Sequence, residues 1–220
     1  MRKKYSAAIF DLDGTLVNSL ADIADSMNRI LESEGFQTYD TDDYRFFVGN
    51  GIRRLVENCI PKEKRNAETV ERCLALMIED YGANCVNKSS LYEGISELLA
   101  ELAARGTKMS VLSNKAEAIT AKVCRRLLPV ESFVEIRGAS EQFPRKPSPE
   151  AALFIASRME VEPSEIFYLG DTSVDMHTAR AAGFFPAGAL WGFRSAGELL
   201  EAGAEVLIKT PSDCLNYFTT

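Results

Sequence analysis

Histidine is nearly missing from this 220-residue chain, which carries a single one, His177. One imidazole excludes metal centres built on several histidines, the HExxH and three-histidine zinc sites among them. Long apolar runs are missing too: no window approaches the roughly 18 apolar residues a membrane-spanning helix needs. After the basic start Arg2-Lys3-Lys4 the first apolar run stops at Asp11, too short for the core of a signal peptide. That start reads as a solvated terminus. The five cysteines (Cys59, Cys73, Cys85, Cys124 and Cys214) are odd in number and form no CxxC. This argues against a disulfide framework or zinc knuckle and for reduced thiols. Positive charge is the minority: 25 Lys+Arg against 32 Asp+Glu leave a net charge of −7. Nucleic-acid and anionic-membrane binders have the opposite balance. A cytoplasmic protein with neither kind of partner is expected.

What is present fits a soluble α/β chain, with 46% hydrophobic and 26% charged residues. Ala7-Ala8-Ile9-Phe10, Thr107–Ser113 and Glu165–Gly170 are short apolar runs that read as buried strands, and Phe185–Leu190 is a weaker one. Between them, Ile95–Ala104, Ala116–Leu128, Ala151–Met159, Val174–Ala182 and Ala196–Ala202 carry helical spacing. Alternating strands and helices predict a doubly wound, Rossmann-like, mostly parallel sheet covered on both faces. Residues 18–86 differ. Ile23, Met27, Ile30 and Leu31 form one helical stripe, and Val70, Cys73, Leu74, Met77 and Tyr81 another, with no convincing strand between. The expectation is an α/β core of residues 1–17 and 87–220, with a four-helix cap, 18–86, inserted after the first strand. Linkers near Val17–Leu20 and Val86–Leu91 would let the cap move.

In open parallel sheets, ligands bind beyond the carboxyl ends of the strands. There the sequence places Asp11-Leu12-Asp13-Gly14-Thr15, then Ser113-Asn114, and Gly170-Asp171 with Asp175; Lys146-Pro147 lies between the last two. Acid and glycine after one strand make an ordinary turn. Four carboxylates meeting at one sheet edge are harder to explain that way. A pair about 4 Å apart repels by about 4 kcal/mol at an effective dielectric near 20. A cation relieves this, and an all-oxygen site with open positions suits Mg²⁺. Ser113, Asn114, Lys146 and the backbone N–H groups around Leu12–Gly14 then make a cradle for an anion. Acid, metal, hydroxyl and lysine around one anion describe phosphoryl transfer, with a carboxylate as nucleophile.

Asp11-Leu12-Asp13-Gly14-Thr15-Leu16-Val17, Ser113-Asn114, Lys146-Pro147 and Gly170-Asp171-(x)3-Asp175 resemble, in order and spacing, the four motifs of the haloacid dehalogenase superfamily, and the helical insertion resembles its type 1 cap. Val48-Gly49-Asn50-Gly51 and Trp191-Gly192-Phe193-Arg194 resemble phosphoglycolate phosphatases within it. The resemblance implies that Asp11 attacks phosphorus and binds Mg²⁺ with its other oxygen. It implies that Asp13 protonates the leaving alkoxide, then deprotonates water, and offers its main-chain carbonyl to the metal. Ser113 and Lys146 would hold the phosphoryl oxygens, Lys146 also restraining Asp11. Asp171 would ligate Mg²⁺, as would Asp175, directly or through water. Gly14, Asn114 and the cap loop Gly49-Asn50-Gly51 would line the substrate.

The resemblance also ranks the chemistry. Dehalogenating members typically lack the second aspartate, present here as Asp13. A mutase usually carries a histidine soon after the first motif, and Asn18–Asp25 has none. Asn18 stands where relatives more often have Asp, and Leu91-Tyr92-Glu93-Gly94 lacks a common Pro-Gly. Arg145 adjoins Lys146, which is the site residue of choice. Arg53 is a candidate to grip a carboxylate on the leaving group, although it and Arg54 also read as solvated helix arginines. His177 reads as a surface residue and Trp191 as packing.

The expectation is a Mg²⁺-dependent phosphomonoester hydrolase, monomeric or homodimeric, acting on a small phosphate ester, with phosphoglycolate first. Alternatives are a pyrophosphatase, nucleotidase or sugar phosphatase on the same motifs, a phospho-Asp signalling module, or a non-catalytic phosphate-binding protein.

Overall fold

The computed structural model describes residues 4–219. Arg2 and Lys3 lie outside them, while Lys4 donates to the carbonyls of Asn216 and Phe218. Six parallel strands form one sheet: β1 (Ala7–Phe10), β4 (Lys108–Ala116), β5 (Phe133–Ala139), β6 (Ile166–Gly170), β7 (Phe185–Ala189) and β8 (Val206–Ile208). Their spatial order is β5-β4-β1-β6-β7-β8. The chain builds outward on one side of β1, then returns to build on the other. The crevice where order reverses lies at the carboxyl ends of β1, β4 and β6.

All four residues of β1 are buried because both faces are covered. Ala8 and Phe10 join Met109, Val111, Phe167 and Leu169 on one face, packed with α4 (Ile95–Ala104) and α5 (Glu117–Leu127). Ala7 and Ile9 join Leu112, Ile166 and Tyr168 on the other, under α6 (Glu150–Met159) and α7 (Ser173–Ala182). The last helix, α8 (Ala196–Glu201), starts at Ser195, whose hydroxyl accepts the Glu198 N–H.

A small antiparallel ribbon, β2 (Val17–Asn18) with β3 (Ser90–Leu91), pairs the chain's exit from the sheet with its return. Between them lie α1 (Leu20–Ser33), α2 (Ile52–Cys59) and α3 (Ala67–Asn84), with 3-10 turns at Thr41–Phe46 and Lys62–Lys64. The expected four-helix insertion is therefore three α-helices and two tight turns among the described residues. The stripes of α1 and α3 pack on each other, and Arg29 of α1 reaches Asp80 of α3, with Nε to Oδ2 at 2.9 Å. At the base of α1, buried Asp22 accepts the N–H groups of Lys88 and Ser89 (2.9 and 2.8 Å) and the Ser89 hydroxyl (2.7 Å), tying the return linker to the outgoing helix.

Candidate active site

The carboxyl ends of β1 and β6 deliver the acidic motifs to one place, beside Ser113 and Asn114 of β4. Asp11, Asp171 and Asp175 each bring a carboxylate oxygen within 4.8 Å of the others, and all three are buried. Burial first, then the charge of Asp175, pushes the Asp11 carboxyl up to about 7, although Lys146 pulls the other way. Burial and the charges of Asp175 and Asp11 raise Asp171 well above the carboxylate range. Three hard oxygen donors crowded around a single ammonium, Lys146, are a donor set that fits Mg²⁺.

Each aspartate is oriented by its neighbours. Asp11 Oδ1 accepts the Leu12 N–H at 2.7 Å and pairs with Lys146 Nζ at 2.9 Å; Oδ2 has no partner among the described residues. Asp171 accepts the Thr15 hydroxyl (3.0 Å) and the Phe193 N–H (2.8 Å). Asp175 is occupied on both oxygens, by Lys146 (2.6 Å) and Tyr168 on one and by the Thr172 hydroxyl and N–H on the other. Lys146 Nζ spends its three protons on Asp11, Asp175 and the Leu112 carbonyl. It restrains the aspartates as the structure stands, and its neighbour Arg145 is exposed.

Asp13 points elsewhere. Its Oδ1 accepts both the Ser19 hydroxyl and Lys115 Nζ, each at 2.6 Å. Asp13 shares a cavity of about 580 Å³, open mouth included, with Asp11, Ser113, Asn114, Lys115, Tyr81 and apolar side chains of α1, α2, α3 and α5. Ser113 is buried, and its oxygen accepts the Lys115 N–H (3.2 Å), leaving its proton for another acceptor.

Four expectations change. Gly14 was expected to offer its N–H to an anion, but that group donates to the Val17 carbonyl. Gly14 supplies room instead: φ is +85°, and a Cβ there would lie 2.2 Å from Asp171 Oδ2. Gly192 does the same from the other side, its Cβ position 2.2 Å from Asp171 Cβ, which gives the Trp-Gly-Phe-Arg run a physical purpose. Asn114 is a clamp. Its amide donates to the Gly49 and Lys146 carbonyls and accepts the Lys146 N–H, so it binds the insertion loop to the sheet edge. Arg53 does not line the cavity. It makes a two-pronged pair with Glu71 (2.7 and 3.0 Å), both exposed. Asn50 is exposed and outside the cavity wall, whereas Gly49 and Gly51 line it. His177 is exposed, and Trp191 donates its indole N–H to the Thr15 carbonyl.

Sequence reading gave Lys115, Tyr81 and Arg194 no role at the site. Arg194 donates to the carbonyls of Arg45 and Val48, a second grip on the insertion loop. Lys115 carried a signal, since it directly follows Ser113-Asn114 at a strand's carboxyl end.

The haloacid dehalogenase-like hydrolase profile matches residues 8–189. A phosphoglycolate phosphatase of Aquifex aeolicus is 34% identical over 185 residues, covering 84% of each chain. Phosphoglycolate phosphatase 1 of Pseudomonas aeruginosa is 29% identical, covering 94% of this chain and 77% of that one. A Lactobacillus delbrueckii subsp. bulgaricus crystal structure, assigned as a phosphoglycolate phosphatase, superposes with a TM-score of 0.91 at 28% identity, over 96% of this chain and 97% of that one.

Proposed function

The chain belongs to the haloacid dehalogenase-like hydrolase family, and from that premise we propose that it hydrolyses small phosphomonoesters through an aspartyl-phosphate on Asp11, with Mg²⁺, phosphoglycolate being the leading substrate. The observation that carries this reading is the Asp11 carboxylate, with one oxygen immobilised by Leu12 and Lys146 and the other unpartnered beside two further buried acids.

Asp11, Asp171 and Asp175 would hold Mg²⁺, which supplies charge neutralisation for the transferring phosphoryl group. Asp11 Oδ2 attacks phosphorus; the bond from phosphorus to the ester oxygen breaks, and Asp13 gives that oxygen its proton, releasing the alcohol. Asp13, now a carboxylate, takes a proton from water as the water attacks phosphorus. Inorganic phosphate leaves and the Asp11 carboxylate is restored. The Ser113 hydroxyl donates to a phosphoryl oxygen. Lys146 keeps Asp11 oriented, so that attack costs little reorganisation.

Residues 18–86 act in this reading as a cap that covers the cavity and excludes water. Five free, buried cysteines support a reducing compartment such as the cytoplasm. No described helix is long and apolar enough to cross a membrane.

The test is turnover by Asp11→Asn. With Mg²⁺ and p-nitrophenyl phosphate the variant is expected to lose activity to background, and a kcat near wild type overturns the nucleophile assignment. A panel of small phosphate esters decides the substrate, and a low rank for phosphoglycolate removes it while leaving the chemistry in place.

A further inference from the structure

Lys115 is the one ammonium among the described residues lining the cavity. It lies at the end of β4, its side chain only 4% exposed. Nζ donates to Asp13 Oδ1 at 2.6 Å and to the Tyr81 hydroxyl at 2.6 Å. It also lies 5.0 Å from the centre of the Tyr81 ring. Tyr81 belongs to α3, on the far side of the cavity from the sheet, and is buried. Ser19, the other donor to Asp13 Oδ1, is the residue from which α1 starts. One oxygen of Asp13 is thus saturated by two donors, one from each end of the inserted segment's attachment: Ser19 directly, and Tyr81 through Lys115. The other oxygen has no partner among the described residues, and Asp13 is part of the cavity wall.

We propose that Lys115 and Tyr81 are positioning residues that aim the free oxygen of Asp13 at the leaving group, and that they do so only while the α1–α3 segment is seated on the sheet. The inference rests on the reading of Asp13 as the proton donor. A carboxyl group pivots about its Cβ–Cγ bond, and fixing one oxygen fixes the direction in which the other presents its proton. When α3 lifts, Lys115 loses the hydroxyl that holds its tip, and Asp13 loses its alignment. Proton delivery to the ester oxygen is then confined to the covered, water-poor state. A loose arrangement in the open state would leave the donor idle rather than exposed to side reactions.

The experiment exploits leaving groups that differ in their need for a proton. p-Nitrophenolate departs unaided, whereas phenolate is more basic and profits from general acid catalysis, a benefit on the order of 10²–10⁴ for a well-placed acid. kcat/KM covers steps only through phosphoryl transfer to Asp11, so the later hydrolysis does not blur the comparison. Wild type, Tyr81→Phe, Lys115→Met and Asp13→Asn are assayed with phenyl phosphate and p-nitrophenyl phosphate. Tyr81→Phe keeps the ring and removes only the hydroxyl. It is expected to lower kcat/KM for phenyl phosphate about tenfold or more while leaving p-nitrophenyl phosphate within about twofold. Lys115→Met should show the same selectivity, and Asp13→Asn a larger one. Equal losses on both esters for Tyr81→Phe, with Asp13→Asn still selective, overturn the positioning role and leave the acid assignment standing. If Asp13→Asn is itself unselective, the acid assignment falls and the positioning role with it. Should Lys115→Met fail to fold, the Tyr81→Phe comparison decides alone.

Discussion

At the scale of single residues, the site is a problem of like charges held close. Asp11 carries a carboxyl raised from 3.8 to about 7, by burial above all and then by Asp175. The folded state therefore binds a proton more tightly than the unfolded one. The stabilisation this gives is complete below about pH 4 and is lost as pH rises through about 7. Asp171, raised in the same direction, adds to the trend. Metal-free protein should melt at a lower temperature at about pH 8 than at about pH 5. Mg²⁺ should raise the melting temperature more at the higher pH, because it competes with fewer bound protons. Calorimetry at both pH values, with and without Mg²⁺, checks this, and a Mg²⁺ effect independent of pH contradicts it. Arg53 gives a second prediction at this scale. Its pair with Glu71 is solvent-screened and not part of the cavity wall. Arg53→Ala should leave the KM for phosphoglycolate and the melting temperature close to wild type, and a KM raised tenfold would return Arg53 to the site.

At the scale of elements, the two linkers decide how the insertion sits. Asp22 closes them against each other with hydrogen bonds to Lys88 and Ser89 from a buried position. Asp22→Ala leaves those donors without acceptors and should cost roughly 2–4 kcal/mol. Hydrogen exchange should rise first in residues 86–91, and uniform exchange with unchanged stability would show that the brace is dispensable. The sequence made some elements legible and hid others for physical reasons. β1, β4 and β6 are central strands buried on both faces, so they appear as unbroken apolar runs. β5 and β8 are edge strands, short or half exposed, and their pattern is diluted by Glu135, Arg137 and the brevity of Val206–Ile208. The stripes of α1 and α3 were readable, but the loop between Phe36 and Ile52 is organised by tertiary contacts that no local pattern records. Among them are Asn28 bonding Tyr39 and Tyr44, and Arg194 bonding the loop carbonyls. For the same reason motif spacing located the aspartates, yet not that Asn114 clamps backbone or that Arg53 faces Glu71.

At the scale of the whole molecule, the insertion and the sheet share one apolar cluster. It runs from Met27, Leu31 and Met77 through Leu16, Val17 and Leu20 to Val111 and Phe167. Separate cores would unfold separately, whereas a continuous one ties the two parts energetically. Thermal unfolding of the Mg²⁺-loaded protein should give one calorimetric transition, with van't Hoff and calorimetric enthalpies in agreement. Two resolved transitions would mean that the helical segment melts independently of the sheet.

The strand order has a further consequence, in the history of the chain rather than its chemistry. β1 precedes both of its partners along the chain and is one of the two central strands of the sheet; those partners are Lys108–Val111 and Ile166–Leu169. During translation the strand that leads into Asp11 waits, apolar and unpaired, while the whole helical insertion emerges. Its second neighbour, Ile166–Leu169, arrives only after more than 150 further residues have been made. Assembly of the site is therefore a late, long-range event of the slow kind. A nascent chain truncated before β6 holds Asp11 with one flank of its strand bare, so the ability to turn over phosphate esters should be acquired abruptly, once β6 has emerged.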